Sequence, residues 1–363
     1  MPKLSDFDYE LPEELIAQFP ALKRDFSKMM VVHADTGYIE HKHFYDIIDY
    51  LNETDVLILN NTKVIPARLY GYKDTGAKIE ILLLKPQKFD NAKEQRPTSG
   101  FQNNQWEVLI RPSKRVQAGT LLKISDDFWA KVITPIESDG KWLVELKYKG
   151  NIYDVLKTHG LVPLPPYIER KTATETIKKL DCERYQTVYA EKEGSIAAPT
   201  AGLHFTEEII QKLKNKGVQT GFITLNVGLG TFRPVKCDNI EDHKMDSETY
   251  YIPKETAELI NNAQKSGKKI TAVGTTTVRT LESAFAEFGV IKECSSTSAL
   301  FIYPPYKFNV IDRLITNFHL PKSTLLMLVA AFAGKDCIFD AYRIAVENKY
   351  RFYSYGDCML IDR

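Results

Sequence analysis

The stretch "KKITAVG" (residues 268–274), followed directly by "TTTVRTLESAFAEFG" (residues 275–289), decides the fold class. The first part is a short apolar run, typical of a buried strand, and the second has the apolar spacing of a helix that ends at a glycine. Other helices alternate with strands nearby, as in "TEEIIQKLKNKG" (206–217) followed by "GFITLNVG" (221–228). This alternation predicts a sheet with parallel pairs that helices cover on both faces.

Residues 62–150 have a different texture, because short β-rich runs separated by Gly, Pro, Asn and Asp follow one another. Such regularly spaced strands indicate a small antiparallel barrel or sandwich. We therefore predict an α/β fold with a mixed sheet and helices on both of its faces, plus an inserted small antiparallel β-barrel. The predicted domains are residues 1–61 with 151–363 for the α/β domain, and residues 62–150 for the barrel.

The composition of the 363-residue chain is that of a globular protein, with 44% hydrophobic and 26% charged residues. Its strongest apolar run, residues 325–333, is far shorter than the roughly 20 residues that span a bilayer. The beginning of the chain lacks the charged-then-apolar order of a signal peptide. The five cysteines are odd in number and form no C-x-x-C pair, which favours reduced thiols. We expect a cytoplasmic protein with no membrane partner.

The charge of the chain is unevenly distributed. Residues 62–150 carry 16 Lys and Arg against 10 Asp and Glu, a net charge of +6, which leaves −5 for the rest because the whole chain carries +1. A basic segment of this kind favours a polyanionic partner, although a solvated, lysine-rich surface is the alternative interpretation.

The stretch "GSIAAPTAGLHFT" (194–206) places one imidazole, His204, among small residues that include Thr200 and Gly202. Small residues let backbone approach a ligand closely, and the free N–H groups of the helix that follows favour an anion. The alternative is a tight connection in which His204 is a hydrogen-bonded structural residue.

Three further stretches combine small residues at element ends with groups that bind anions or cations. The structural alternative is a bulged strand end for "TLNVGLGTFRPV", a capped helix start for "AVGTTTVRTLES" and a plain aromatic core for "RFYSYGDCM". The candidate residues are Gly230, Thr231 and Arg233 in "TLNVGLGTFRPV", Gly274, Thr275, Thr276 and Arg279 in "AVGTTTVRTLES", and Tyr355 and Asp357 in "RFYSYGDCM".

Metal and nucleotide signatures are weak. His41 and His43 form the only H-x-H pair, and no spacing of carboxylates or cysteines completes a metal site around them. The sequence also lacks a P-loop, a dinucleotide-binding fingerprint and a Ser-His-Asp arrangement. We predict no metal site.

Taken together and in order, long segments of the chain resemble the S-adenosylmethionine:tRNA ribosyltransferase-isomerases of queuosine biosynthesis. The matching segments cover nearly the whole chain: "LIAQFP", "DVLILNNTKVIPARLYG", "PLPPYIER", "ERYQTVYAEKEGSIAAPTAGLHFT", "TLNVGLGTFRPV", "DHKMDSETY", "AVGTTTVRTLES", "TNFHLPKSTLLMLVAAFAG" and "YRFYSYGDCMLI".

The resemblance implies an enzyme that uses S-adenosylmethionine as a ribosyl donor. The ribosyl unit would move to 7-aminomethyl-7-deazaguanine at the tRNA wobble position, which gives epoxyqueuosine and releases adenine and methionine. It further implies that S-adenosylmethionine is a consumed substrate and that there is no resident cofactor or metal. We expect a monomer.

This chemistry needs a base for the carbon beside the sulfonium, a donor to the departing adenine, and sites for anions. The candidates for base and acid are His204, His243 and Glu248. The substrate-binding set adds Asn317 and His319 to the residues named above. For tRNA phosphates we expect Arg111, Lys114 and Arg115 of the basic segment.

The chain departs from the family pattern at three positions. Asn226 and Asp246 stand where histidines are usual, and Pro305 replaces a usual glycine. The first two changes remove imidazoles, which favours His204, His243 and His319 as bases and leaves Asp246 as another candidate. A non-catalytic RNA-binding protein and an ordinary methyltransferase are the alternative functions. The small-residue loops argue against the first, and the missing glycine-rich first loop argues against the second.

Overall fold

The computed structural model describes residues 2–87, 101–136, 140–170, 174–228, 230, 235 and 237–363. The chain divides into two compact units. One comprises Met1–Lys63, Pro165–Thr172 and Arg184–Arg363, and the other comprises Val64–Leu164 and Ala173–Glu183.

The strands are bounded as follows, in chain order: β1 Lys28–His33, β2 Tyr38–His43, β3 Asp55–Asn60, β4 Thr62–Val64, β5 Arg68–Tyr72, β6 Lys78–Pro86, β7 Phe101–Arg111, β8 Leu121–Ser125, β9 Phe128–Ile136, β10 Lys141–Lys149, β11 Lys192–Ser195, β12 Gln219–Leu225, β13 Glu248–Ile252, β14 Lys269–Val273, β15 Cys294–Ser298, β16 Arg313–Asn317 and β17 Cys358–Asp362. The α-helices are α1 Ile47–Tyr50, α2 Ile152–His159, α3 Glu175–Arg184, α4 Glu207–Asn215, α5 Lys254–Lys265, α6 Thr275–Phe288, α7 Thr324–Ala333 and α8 Lys335–Glu347.

The first unit is built on a nine-stranded sheet in the order β15-β13-β12-β3-β14-β16-β17-β1-β2. Its four central strands β12, β3, β14 and β16 run parallel to one another, whereas β17 runs antiparallel to β16. The carboxyl ends of the four parallel strands therefore meet at one edge, the usual place for a ligand in an open α/β sheet.

Both faces of this sheet are buried, as the alternation of side chains along its strands shows. In β3, Val56 and Ile58 belong to a core that also holds residues of α5, α6, α7 and α8. Leu57 and Leu59 point to the opposite core, which residues of α1 and α4 complete. Burial on both sides explains why the central strands are almost continuously apolar.

The second unit contains a closed six-stranded barrel in the order β10-β7-β6-β5-β8-β9, with antiparallel pairing throughout. Alternate residues of each strand fill its interior, for example Ile79 and Ile81 of β6 and Val108 and Ile110 of β7. Closure leaves no unpaired sheet edge in this barrel.

The predicted fold class is confirmed: a mixed sheet carries helices on both faces, and a small antiparallel barrel accompanies it. The helix α3, of sequence "ETIKKLDCER", was not predicted. It has no continuous apolar face, and of its residues only Asp181 is buried. A regular spacing of apolar residues is the main sequence signal for a helix, and this segment has no such spacing.

Candidate active site

A cavity of about 370 Å³ opens where β14 and β16 end and α6 begins. It brings together six residues of the predicted substrate-binding set: Thr200, Gly274, Thr275, Thr276, Asn317 and His319. A neighbouring cavity of about 350 Å³ shares Thr200, Asn317, His319 and Leu325 with it and adds Tyr167, Tyr353 and Ser354.

The start of α6 contributes backbone N–H groups to the first cavity. Gly274 precedes the helix with φ of 86°, a conformation that L-residues with a side chain rarely adopt. Thr277 donates its backbone N–H to the carbonyl of Gly274, whereas Thr275 and Thr276 occupy the first turn, where N–H groups have no partner within the helix. This end of the helix is suited to a carboxylate or phosphate.

Asn317, at the end of β16, is buried with 2% of its surface exposed. Its Nδ2 lies 3.1 Å from Nε2 of His204 and donates to the carbonyls of Tyr353 at 3.2 Å and Asp357 at 3.4 Å. These acceptors fix the orientation of the amide. Its Oδ1 is buried and has no partner in the part of the chain that the structure describes. A buried acceptor of this kind points to a donor supplied by a ligand.

His204 is held on both sides of its ring. Nδ1 lies 2.7 Å from Oγ of Ser27, and Nε2 accepts from Asn317, which places the ring proton on Nδ1. Burial, together with the positive charges of Arg351 and Arg24, lowers the pKa of His204 to about 3. The imidazole is therefore neutral at neutral pH, with a protein partner at each nitrogen. The geometry is that of a positioning residue for Asn317, and the role of base stays a prediction.

His319 lines both cavities. Its Nε2 lies 2.9 Å from Oγ1 of Thr316, and its backbone N–H donates to the hydroxyl of Tyr342 at 2.9 Å. Burial lowers its pKa to about 3. Among the described residues Nδ1 has no hydrogen-bond partner, so one nitrogen of a neutral imidazole remains available in the cavity.

Glu248 and Arg279 lie together but outside these cavities. Their side chains form an ion pair of 2.6 Å, and each side chain is 4% exposed. Glu248 also accepts from the backbone N–H of Gly228, and Arg279 donates to the carbonyls of Ser298 and Leu300. The ion pair joins β13 to α6. This arrangement suits a pair that stabilises the fold better than it suits a catalytic acid or an anion-binding site.

His243 and Gly230 lie in the long connection between β12 and β13. His243 is half-buried, and its ring packs edge-to-face with that of Phe301, with the ring centres 5.3 Å apart. Burial lowers the pKa of His243. Gly230 lies against Asp246, so that a Cβ at this position would meet the carboxylate. None of these residues lines the cavities described here. The predicted residues Thr231 and Arg233 lie outside the described residues.

Tyr355 and Asp357 belong to the turn before β17. Asp357 is 2% exposed and accepts from the backbone N–H groups of Lys28 and Arg351, so it holds the turn rather than a substrate. Tyr355 lines a third cavity of about 260 Å³, together with Arg24, Arg184 and His204. His204 and Asn317 thus lie between this third cavity and the other two.

The small residues before His204 have a reason that the sequence did not reveal. A Cβ on Gly202 would collide with the hydroxyl of Tyr189 and approach Thr187. At this position a tyrosine of the same chain already requires a glycine. The expectation that the small residues of this loop let backbone approach a ligand closely stays a prediction.

Several site residues were missed from the sequence. Ser27, Arg24 and Thr316 all contact or flank the predicted histidines. Ser27 is separated from His204 by 177 positions, and no local pattern connects the two. Two matching segments quoted above lie near the missed residues: "LIAQFP" shortly precedes Arg24 and Ser27, and "TNFHLPKSTLLMLVAAFAG" begins at Thr316.

In the barrel unit, the predicted tRNA-binding residues Arg111, Lys114 and Arg115 are all exposed. Lys114 and Arg115 line an open, polar depression of about 770 Å³, together with Lys73, whose Nζ donates to the carbonyl of Arg115.

Within the described ranges, no group of three or more His, Cys, Asp and Glu side chains is arranged to hold a metal ion. Nor does any described helix have the length and apolarity to span a membrane.

The fold and the cavities define an α/β protein that has cavities at the carboxyl edge of its sheet and carries an antiparallel barrel as a second unit. The chain belongs to the queuosine biosynthesis protein family, whose model matches residues 4–361. It is also similar to the S-adenosylmethionine tRNA ribosyltransferase from Thermotoga maritima in its crystal structure. The two are 40% identical over 98% of this chain and 99% of that chain, with a TM-score of 0.54.

Proposed function

We propose that this chain, an S-adenosylmethionine tRNA ribosyltransferase-isomerase of queuosine biosynthesis, transfers and isomerises the ribosyl unit of S-adenosylmethionine. The acceptor is 7-aminomethyl-7-deazaguanine at the tRNA wobble position. The products are epoxyqueuosine-tRNA, adenine and methionine. The enzyme class rests on family membership and on the likeness to the Thermotoga maritima protein.

The observation that carries the proposal is the cavity at the start of α6. It offers helix N–H groups at Thr275 and Thr276, a buried unpartnered acceptor at Asn317 and a neutral imidazole at His319. The N–H groups suit the methionyl carboxylate of S-adenosylmethionine. Oδ1 of Asn317 suits an amino N–H of the same molecule. One ligand of this class satisfies both groups at once.

His319 is the proposed base. The low pKa keeps its imidazole unprotonated, the form that accepts a proton, and Nδ1 has no protein partner in the described structure. The carbon beside the sulfonium is acidified by the positive sulfur, so that a neutral imidazole placed beside it takes the proton. The glycosidic bond then breaks and adenine leaves with a proton, while the aminomethyl nitrogen bonds to the ribosyl unit and gives up a proton. The carbon–sulfur bond breaks and methionine leaves as a neutral thioether, so that one proton is released overall.

The test is release of adenine and methionine from S-adenosylmethionine in the presence of tRNA that carries 7-aminomethyl-7-deazaguanine. Unmodified tRNA is the matched control and is expected to release neither product. Formation of S-adenosylhomocysteine would show a methyltransferase, and tRNA binding without any product would show a non-catalytic RNA-binding protein.

The His319→Asn variant tests the base. We expect single-turnover adenine release to fall about a hundred- to ten-thousand-fold, the usual loss when a general base is removed, with S-adenosylmethionine affinity largely kept. Normal release by this variant would return the role to His204 or His243.

We also propose that the reaction needs no metal, because the sulfonium itself acidifies the carbon and supplies the leaving group. Adenine release with and without a strong chelator is then expected to agree. Abolition by the chelator, with recovery on adding one divalent metal, would contradict this.

A further inference from the structure

Large apolar side chains are exposed along residues 18–26, next to the third cavity. Leu22 is 95% exposed, Phe26 52% and Phe19 49%. The ring of Phe26 meets that of Tyr45, itself 38% exposed, at 5.6 Å. Scattered single apolar residues are ordinary on a protein surface, but several within nine positions mark a surface with a partner.

Cations accompany these aromatic rings. The Lys23 ammonium lies 5.0 Å from the centre of the Phe26 ring, and the Arg170 guanidinium lies 4.7 Å from that of Phe19. Exposed aromatic faces interleaved with Lys and Arg are the chemistry that binds unpaired nucleotides, because bases stack on the rings and phosphates contact the cations.

The neighbouring cavity continues this chemistry inward. Pro20, Ala21 and Arg24 of the same segment line it, together with Arg184. Backbone carbonyls hold the two guanidinium groups in place: Arg24 donates to Leu203 at 3.2 Å, and Arg184 donates to Ala21 at 2.8 Å. Guanidinium groups held in this way are donors suited to a phosphate.

We propose that residues 18–26, called here the aromatic-basic ridge, bind an unpaired loop of the tRNA substrate beside the cavity that Arg24 and Arg184 line. His204 lines this cavity, and its Nε2 contacts Asn317, which lines the cavity proposed for S-adenosylmethionine. Through His204 and Asn317 the cavity beside the ridge adjoins the cavity proposed for the ribosyl donor. This inference rests on the proposed function.

The experiment measures fluorescence anisotropy of a labelled RNA hairpin, and of a fully paired duplex of equal length, with the full chain. For Phe19→Ala/Phe26→Ala we expect hairpin affinity to fall about 5- to 150-fold for each base that loses its stacking partner. Duplex affinity is expected to change little, because paired bases do not expose their faces. The variant Tyr251→Ala is the matched control, since Tyr251 is a 37% exposed aromatic residue on β13.

A second variant guards against loss of folding. Leu22→Glu/Lys23→Glu changes only exposed side chains, and it is expected to weaken hairpin binding while S-adenosylmethionine binding stays normal. Unchanged hairpin affinity in both ridge variants overturns the proposal, as does an equal loss for hairpin and duplex.

Adenine release separates this inference from the proposed function. If the wild-type protein binds the hairpin through the ridge but releases no adenine with modified tRNA, the ridge proposal is supported and the proposed reaction is refuted. Full adenine release at limiting tRNA by the ridge variants would refute the ridge and leave the reaction intact.

Discussion

His204 makes the stability of the protein depend on pH in a way that one substitution should expose. The pKa of its imidazole is about 3 in the folded chain and about 6.5 in an unfolded one. Below about pH 6.5 the unfolded chain binds a proton that the folded chain refuses, so stability is lost as the pH falls toward 3. We expect the His204→Gln variant, which has no titrating ring, to lose less stability in acid than the wild type.

The size of the effect follows from the two pKa values. At pH 5, about 1.5 units below the pKa of His204 in the unfolded chain, protonation of this imidazole stabilises the unfolded state by about 2 kcal/mol. His319, with the same lowered pKa, contributes a similar amount in both proteins. At pH 7 the variant is expected to be less stable by roughly 1–3 kcal/mol, because Ser27 and Asn317 lose their ring partner. From pH 7 to pH 5 the difference in free energy of unfolding between the wild type and the His204→Gln variant should shift by about 2 kcal/mol in favour of the variant.

The assay is urea unfolding at pH 7, 6 and 5, followed by circular dichroism and by hydrogen exchange of the strands β14 and β16. Tryptophan fluorescence is unsuitable, because Trp106, Trp129 and Trp142, the three tryptophans of the chain, all belong to the barrel unit. Single-turnover adenine release at pH 7 is measured on the same samples.

Equal acid destabilisation of wild type and variant would refute the reasoning, because His204 would then not be a neutral buried group. The catalytic alternative has a different signature. A hundred- to ten-thousand-fold loss of turnover with stability unchanged at pH 7 would make His204 a base. We expect instead a loss of turnover below tenfold, since both ring nitrogens already have protein partners.

Two further predictions concern the other charged groups singled out from the sequence. Removing one member of the buried pair, as in Glu248→Ala, should leave Arg279 uncompensated and lower the free energy of unfolding by about 3–5 kcal/mol, measured by urea unfolding. Reversing Arg111, Lys114 and Arg115 to glutamate should weaken tRNA binding and flatten its dependence on salt, measured by anisotropy, with S-adenosylmethionine affinity unchanged.

Each of these predictions has a matched control. Glu258→Ala removes the partner of the exposed Lys254 and should cost less than about 1 kcal/mol. Reversal of Lys212, Lys254 and Lys265, exposed lysines on α4 and α5, changes the net charge by the same amount as the barrel variant. An equal loss of tRNA affinity in both triple variants would mean that total charge matters and that the barrel residues make no local contact.

The sequence by itself determined the class of fold and the family. The apolar runs at β12 and β14 predict buried strands, and the spacing in "TTTVRTLESAFAEFG" predicts α6, because burial on a regular element leaves a period in the chain. The runs between residues 62 and 150 likewise predicted the strands of the barrel. The helix α3 was missed for the same reason, since it has no apolar period.

What only the tertiary structure decided is the partner of each polar group. Ser27, His204 and Asn317 come from three distant segments, and their hydrogen bonds exist because β1, the turn before α4 and β16 converge. Glu248 and Arg279 were predicted as an acid or base and an anion site, and the packing of β13 on α6 joins them to each other. A local pattern reports which side chains are buried, whereas the chemistry of a buried polar group depends on its neighbours, and those are set by how the chain crosses the sheet.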